Sequence, residues 1–160
     1  MLDGGIRLLL LLLGLSWYAC SEKTEFSSSI EIPGSQWSYD QHLIYSVDVQ
    51  DTSARYDLVM DVSHSTEYAY QNLYVKIHTE YPDGQSRDQQ ISIDMADPSG
   101  HWYGRCGRSE CVLRVVLQER AFFDQIGAHQ FRFEQFMRMD PVEGINTVAF
   151  KILPREQLDS

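Results

Sequence analysis

The chain has 160 residues, of which 43% are hydrophobic and 12% aromatic, and its formal net charge is −10. This composition supplies enough apolar surface for one folded domain and argues against an intrinsically disordered chain. The strong negative charge would repel phosphate backbones, so it argues against nucleic acid as a partner and disfavours peripheral binding to anionic lipid.

The chain opens with the features of a secretory signal. Arg7 precedes the apolar run 8–13, and the small residue Ala19 precedes Cys20. This order is typical of a bacterial lipoprotein signal, in which cleavage leaves the cysteine as an acylated N-terminus. We therefore predict a signal peptide over residues 1–19 and a lipid anchor on Cys20, since two or three acyl chains hold a protein stably on a bilayer. The alternative is a plain secretory signal with an unmodified cysteine, whereas the run is too short for a transmembrane helix.

Residues 20–36 are mostly polar and include three consecutive serines followed by a Pro-Gly pair. Such a composition predicts an acylated tether between the membrane and the domain. Phe26, Ile30 and Ile32 indicate that part of this segment can lie against the domain as an edge strand.

From Trp37 onward, hydrophobic residues recur with a period of two, which is typical of half-buried antiparallel strands. Turn sequences rich in Asp, Pro, Ser and Gly separate the runs, and one of them predicts a hairpin around residues 82–84. A helical turn is expected only within 116–125. We predict an all-β fold over residues 37–160, an antiparallel β-sandwich (jelly-roll-like) of about seven to eight strands, with a barrel as the alternative. The alternating runs are 43–49, 56–62, 73–81, 91–95, 111–117, 131–133 and 145–153.

Tyrosines cluster where the third of these runs begins. In an extended strand Tyr70, Asn72 and Tyr74 share one face, whereas Leu73 lies on the other. If the Leu73 face is buried, Tyr70 and Tyr74 form an outer aromatic ladder near Tyr68 that stacks on a sugar or docks a partner strand. Ordinary cross-strand packing of aromatic side chains is the alternative.

Two further side chains are candidates for interaction, each with a structural alternative. Trp102 lies between Gly100 and Gly104, and we expect it to plug one end of the sandwich, with ligand binding as the minority interpretation. Arg138 ends a strand and can pair with a carboxylate there, while Asp140 caps the following turn.

With Cys20 acylated, Cys106 and Cys111 remain as a pair in the sequence CGRSEC. Six residues with a glycine can turn back and bring the two Cα atoms within bridging range, so we predict a disulfide in an oxidising compartment. A metal site needs two more ligands at matched spacing, and the five histidines are scattered singly, so no metal and no other cofactor is predicted.

The sequence contains no nucleophile elbow, phosphate-binding loop or zinc-protease motif, so we do not predict an enzyme. A glycosidase with two carboxylates in a groove stays open, as does calcium at the aspartate-rich turns.

Three strings of residues, together with the lipoprotein signal, resemble the GldH family, the gliding-motility lipoproteins of the Bacteroidetes. Trp37, Tyr56-Asp57 and His64 fall at compatible spacing, so the resemblance covers nearly the whole mature chain. The chain departs from the family pattern at Ser63, where the family tends to have arginine, and in its cysteine pair. The strings are YAYQNLY at 68–74, DMADPSGHWYG at 94–104 and FRFEQFMRMD at 131–140.

The resemblance implies a component of the gliding machinery, which is linked to the type IX secretion system, and it implies no catalytic chemistry and no cofactor. The implied partners are other gliding or secretion envelope proteins, with the membrane contacted only through the N-terminal lipid. We expect a structural or protein-interaction module on the periplasmic side of the outer membrane. A carbohydrate-binding β-sandwich lipoprotein is the alternative, and an envelope glycosidase is a less favoured one.

Overall fold

The computed structural model describes residues 24–155, which form two main antiparallel sheets and one small two-stranded sheet. The predicted signal peptide, the lipidation site Cys20 and residues 156–160 of the predicted domain lie outside the described residues. Within residues 24–155 one short 3-10 turn, Pro33–Ser35, accompanies the strands. These strands are β1 Phe26–Glu31, β2 Gln36–Trp37, β3 Leu43–Val49, β4 Arg55–Ser65, β5 Asn72–Glu80, β6 Ser86–Asp94, β7 Arg105–Cys106, β8 Glu110–Ala121, β9 Gly127–Gln135, β10 Val142–Glu143 and β11 Ile145–Arg155.

The strands build a sandwich. The larger sheet has the order β1-β11-β4-β8-β7, the smaller sheet has the order β3-β9-β5-β6, and β2 pairs separately with β10. Neighbouring strands are antiparallel throughout the described chain. The predicted all-β antiparallel sandwich is therefore confirmed. It has more strands than expected because β2, β7 and β10 have two residues each, too few to show an alternating pattern.

The core lies where the inner faces of the two sheets meet. Ring centroids are 5.1 Å apart for Tyr45 and Phe133, 5.4 Å for Phe133 and Phe150, and 4.8 Å for Phe131 and Phe150. The buried Tyr45 hydroxyl donates to the Val148 carbonyl at 2.8 Å. Burial raises the pKa of Tyr45, so the hydroxyl keeps its proton and remains a donor across the two sheets.

The described part of the segment predicted as a tether, residues 24–36, contributes to the sandwich. Its strand β1 pairs with β11, beginning with Phe26 opposite Ile152. Two of its three serines take the exposed positions, so the apolar residues face inward. Ile32 follows and is only 1% exposed. The expected edge strand is present, and the folded domain therefore begins earlier than residue 37.

The helical turn expected within 116–125 is wrong. Strand β8 continues to Ala121, and its register against β4 shifts twice between Val116 and Ala121. Each shift places an extra residue in β8, which is a β-bulge. The bulges interrupt the period of two in the sequence. The interrupted pattern was therefore interpreted as a helical turn.

The hairpin predicted around residues 82–84 is confirmed. Strands β5 and β6 pair from Asn72 opposite Asp94 to Glu80 opposite Ser86. Gly84 has a φ of +82°, a conformation that glycine adopts without steric cost.

The strands run between two ends of the sandwich. At the end that we call proximal, the chain enters at Glu25, whose amide donates to the Ile152 carbonyl at 2.9 Å, and the loop 122–126 joins β8 to β9. At the opposite end, called distal, β4 and β9 finish and the segment around Trp102 packs against His64. The candidate site residues lie at this distal end.

Candidate interaction site

Aromatic side chains from several segments meet at the distal end. Ring centroids are 4.8 Å apart for His64 and Trp102, and 5.8 Å for His64 and Tyr68. Tyr68 meets Tyr70 edge-on at 5.6 Å and donates its hydroxyl to the Asn72 carbonyl at 2.9 Å. Burial raises the pKa of Tyr68, with a smaller contribution from Tyr70, so this donor stays protonated. The structure thus brings Tyr68, Tyr70, Asn72 and Trp102 together as a plug of the sandwich.

His64 is the polar centre of this distal plug. Its side chain is fully buried, and its Nδ1 lies 2.9 Å from the Ser65 carbonyl oxygen. A carbonyl only accepts, so Nδ1 carries the proton and Nε2 keeps a lone pair. Within residues 24–155 this Nε2 has no hydrogen-bond partner. Burial lowers the pKa of His64, so the neutral imidazole is the favoured form.

The predicted disulfide is present beside the distal plug. Cys106 and Cys111 are bonded, with Cα atoms 4.0 Å apart, and the bond joins β7 to β8. Cys111 lies opposite His64 in the ladder between β4 and β8. The Gly107 amide donates to the Glu110 carbonyl at 2.7 Å and closes the hairpin. The cross-link therefore fastens the edge strand next to the buried histidine.

A groove on the outer face of the smaller sheet, also near the distal end, presents exposed aromatic rings. Tyr39 is 42% exposed, Tyr74 is 44% exposed and Phe136 is 53% exposed. The groove has a volume of about 930 Å³. Its other lining residues are Gln90, Ile91, Ser92, Glu134, Gln135, Met137 and Arg138. Rings and aliphatic groups here lie beside amides and charges, a mixture also found in protein interfaces.

Hydrogen bonds hold the walls of this distal groove. The Tyr39 hydroxyl donates to the Met137 carbonyl at 2.5 Å, and the Tyr39 amide donates to Asp140 Oδ1 at 2.8 Å. The Phe136 amide donates to the Tyr74 carbonyl at 2.8 Å. These bonds fix the backbone on both sides of the groove and hold the Tyr39 ring, so less conformational freedom is left to lose there on binding.

The charged residues of the distal groove do not form a catalytic pair. Glu134 is the one carboxylate among the described lining residues, and it forms a salt bridge with Arg132, whose Nε lies 2.8 Å from Glu134 Oε1. Glycoside hydrolysis uses two flanking carboxylates. Arg138 takes part in none of the salt bridges observed among residues 24–155, and Asp140 binds the Tyr39 amide instead of pairing with it.

The structure separates the two tyrosines that were expected to form a ladder. Strand β5 begins only at Asn72, so Tyr70 lies before it and packs into the distal plug. Tyr74 alone of the pair lies on the outer face. Sequence reasoning missed Phe136 and Tyr39. Phe136 is out of phase with the inward-facing residues of β9, so the sequence pattern could have predicted that it is exposed. No sequence pattern indicated the exposure of Tyr39.

The described part of the chain shows no arrangement that suggests a metal site. Among residues 24–155 no three His, Cys, Asp or Glu side chains converge to hold an ion. Asp97, one of the turn aspartates considered for calcium, accepts from the amides of Ser99 at 2.8 Å and His101 at 2.9 Å. In the same part of the chain, no helix has the length and apolar character needed to cross a membrane.

Comparison with known proteins identifies a family that this chain matches. A family model described as GldH lipoprotein matches residues 24–152. The gliding motility lipoprotein GldH homolog of Christiangramia forsetii is 26% identical over 124 residues, which cover 73% of this chain and 76% of that protein. The gliding motility lipoprotein GldH of Flavobacterium johnsoniae is 24% identical over 151 residues, covering 90% of this chain and 93% of that protein. Among solved structures, an uncharacterized protein from Listeria monocytogenes aligns with 78% of this chain and 11% of its own at 15% identity and a TM-score of 0.36, which is too distant to support an argument.

Proposed function

Because the chain belongs to the GldH lipoprotein family, we propose that it is a non-catalytic interaction module of the gliding-motility machinery and of the type IX secretion linked to it. The lipid on Cys20 anchors it to the outer membrane on the periplasmic side. The distal groove binds a partner protein of the same envelope.

The observation that carries this proposal is the exposure of three aromatic rings on fixed walls of the distal groove. Tyr39, Tyr74 and Phe136 are each more than 40% exposed although they lie at the edge of a packed domain. Arg138 lies beside them. Tyrosine and arginine are enriched among the residues that dominate binding energy in protein interfaces. An arginine and exposed rings on a rigid surface suit a protein partner.

Carbohydrate binding is the second candidate, and the same groove favours it in a different way. The faces of Tyr39 and Tyr74 can stack on a sugar ring, and Gln90 and Ser92 can hydrogen-bond its hydroxyls. Phe136 and Met137 add apolar surface without such polar partners, so we rank a protein partner first. The two candidates differ in what the groove captures.

The first experiment replaces the groove rings in the cell. Tyr74→Ala combined with Phe136→Ala should leave the abundance of the lipoprotein unchanged, because both side chains are exposed, and should abolish gliding or secretion. Tyr103→Ala is the matched control, since Tyr103 is 43% exposed against 44% for Tyr74 and lies outside the groove. Gliding and type IX secretion are scored separately, together with the amount of protein in the membrane. Normal gliding and secretion in the groove variant would refute the proposal.

The second experiment identifies what occupies the groove. A photo-crosslinking amino acid at position 74 should capture one envelope protein in living cells, and the same probe at position 103 should not. If the groove binds sugar, the probe at position 74 captures no protein, and the purified lipoprotein in detergent binds envelope oligosaccharide unless Tyr74 is replaced.

A further inference from the structure

We propose that the proximal end of the sandwich rests on the bilayer, with Phe122 and Ile126 as the side chains that enter the lipid interface. This inference depends on the proposed lipid anchor at Cys20 and adds the orientation of the anchored domain. It assigns a surface that is separate from the distal groove.

The loop 122–126 carries the two most exposed large hydrophobic side chains of the described residues. Ile126 is 63% exposed and Phe122 is 59% exposed, whereas Phe123 between them is 8% exposed. The Phe123 ring packs against Tyr56 with centroids 5.6 Å apart. One buried ring thus fixes the loop, and its two apolar neighbours are held out toward solvent.

A cation lies beside the exposed ring. The guanidinium carbon of Arg55 is 4.8 Å from the centroid of Phe122. Long basic side chains keep an apolar stem along hydrophobic surface and extend their charge toward water or lipid phosphates. Phe122 and Arg55 together therefore form a tip that suits the boundary between acyl chains and headgroups, where amphipathic surfaces bind.

The anchored chain enters at the same end as this loop. Glu25, Phe26, Tyr56 and Phe123 line one crevice. Phe26 follows Cys20 by six positions, and an extended chain spans at most about 3.3–3.6 Å per residue, so an acylated Cys20 stays within about 20 Å of the proximal end. The distal end is farther away, because a strand of the length of β11 spans roughly 35 Å.

The charge of the protein determines whether the proximal end can bind lipid by electrostatic attraction or only by inserting apolar side chains. Acidic side chains at the proximal end include Glu25, Asp51 and Asp124, and basic ones include Arg55, Arg120 and Arg155. The whole chain has a net charge of −10, so a strongly anionic lipid surface would repel it. The contact must then come from apolar side chains entering a zwitterionic interface. Because the tether raises the effective concentration of the loop at the membrane, two apolar side chains are enough to bias the orientation.

The test measures membrane contact at each end of the full lipoprotein. Ile126→Cys is labelled with an environment-sensitive dye, the protein is reconstituted into phosphatidylcholine vesicles, and quenching by lipids with a spin label at shallow depth is recorded. Tyr103→Cys is the matched control because Tyr103 is exposed at the distal end. Labelling is carried out without reductant so that the Cys106–Cys111 bond stays closed.

We expect quenching at position 126 to exceed that at position 103 several-fold, and to fall when Phe122→Ser is added. Raising the salt concentration should change it little. Equal quenching at both positions, or none at position 126 in protein that floats with the vesicles, would overturn the proposed orientation while leaving the lipid anchor intact. Flotation is measured on the same samples, and failure of the unlabelled lipoprotein to float would instead refute the anchor and this inference with it.

Discussion

Both ends of the sandwich are rich in aromatic residues, but they differ in what covers the rings. At the distal plug Tyr68 is 4% exposed and meets His64 and Tyr70 edge-on. At the proximal end Phe123 is buried while the adjacent Phe122 is exposed. A covered ring contributes to the stability of the fold, whereas an exposed ring held in place by a buried neighbour is available to another molecule. At each end, the exposed fraction of a ring therefore distinguishes side chains that pack in the fold from side chains that are available for binding.

The largest expected effect comes from a substitution in the core between the two ends, which should destabilise both ends together. Phe133→Ala deletes a fully buried ring whose centroid is 5.1 Å from Tyr45 and 5.4 Å from Phe150. Loss of transferred surface and the cavity left behind should lower the free energy of unfolding by about 3–5 kcal/mol. Urea unfolding followed by circular dichroism measures this. A loss below about 1 kcal/mol would show that the ring is not a centre of the core.

Opening the disulfide should weaken the distal end selectively. The bond closes a short loop, so replacing Cys106 and Cys111 by alanine should cost at most about 2 kcal/mol. Reductant should lower the urea midpoint of the natural protein and leave that of the double variant unchanged. Non-reducing mass spectrometry of protein from the envelope checks the bond directly, and two thiols found there would contradict the prediction.

Two glycines at the distal end have nearly the same φ but differ in how much space surrounds them, so substituting each one separates steric overlap from backbone strain. Gly104 has a φ of +86°, and a Cβ added there would meet the Val112 carbonyl oxygen at 2.3 Å. Gly100 has a φ of +87° with nothing within 4 Å. Gly104→Ala should therefore destabilise the protein by more than about 1 kcal/mol, and by more than Gly100→Ala, in which backbone strain acts alone. Equal thermal stabilities of the two variants would show that β8 relaxes around the added methyl group.

The smallest expected effect is a pH dependence that arises at the buried histidine. Burial lowers the pKa of His64 from its ordinary value of 6.5, so below that pH the unfolded chain binds the proton more readily than the folded protein does. The stability contributed by the neutral imidazole is present in full above pH 6.5 and is lost as the pH falls through the lower folded pKa. Free energies of unfolding measured between about pH 8 and about pH 5 should decline more steeply for the natural protein than for His64→Gln. Parallel declines would assign the pH dependence to other groups.

The sequence was sufficient for the parts of the fold that follow a strict alternation. Leu43–Val49 was predicted with its observed bounds, because its odd positions are apolar and buried and its even positions are exposed. The pattern failed in β8, where two bulges change which residues face inward. It also assigned β1 to the tether, because serines occupy half of its positions and only pairing with β11 makes them part of a sheet.

The candidate site was less predictable, because it depends on contacts between distant segments. Tyr74 and Arg138 were found from their position in strands, and the structure places both at the groove. Tyr39 completes the groove only because its hydroxyl and amide bind a turn about 100 residues later, at Met137 and Asp140. Such pairing has no local sequence signal. Tyr70 was misplaced because it was treated as continuing the strand face of Asn72 and Tyr74, whereas β5 begins at Asn72.

The first strand gives the domain a mechanical property. A pull between the proposed lipid anchor and a proposed partner in the distal groove would act along the axis of β1, whose six residues all pair with β11. In this direction the two strands are loaded in shear, so their hydrogen bonds resist together and are not opened one after another. A moving machine could thus transmit force through this edge strand to the neighbouring β11 and the core.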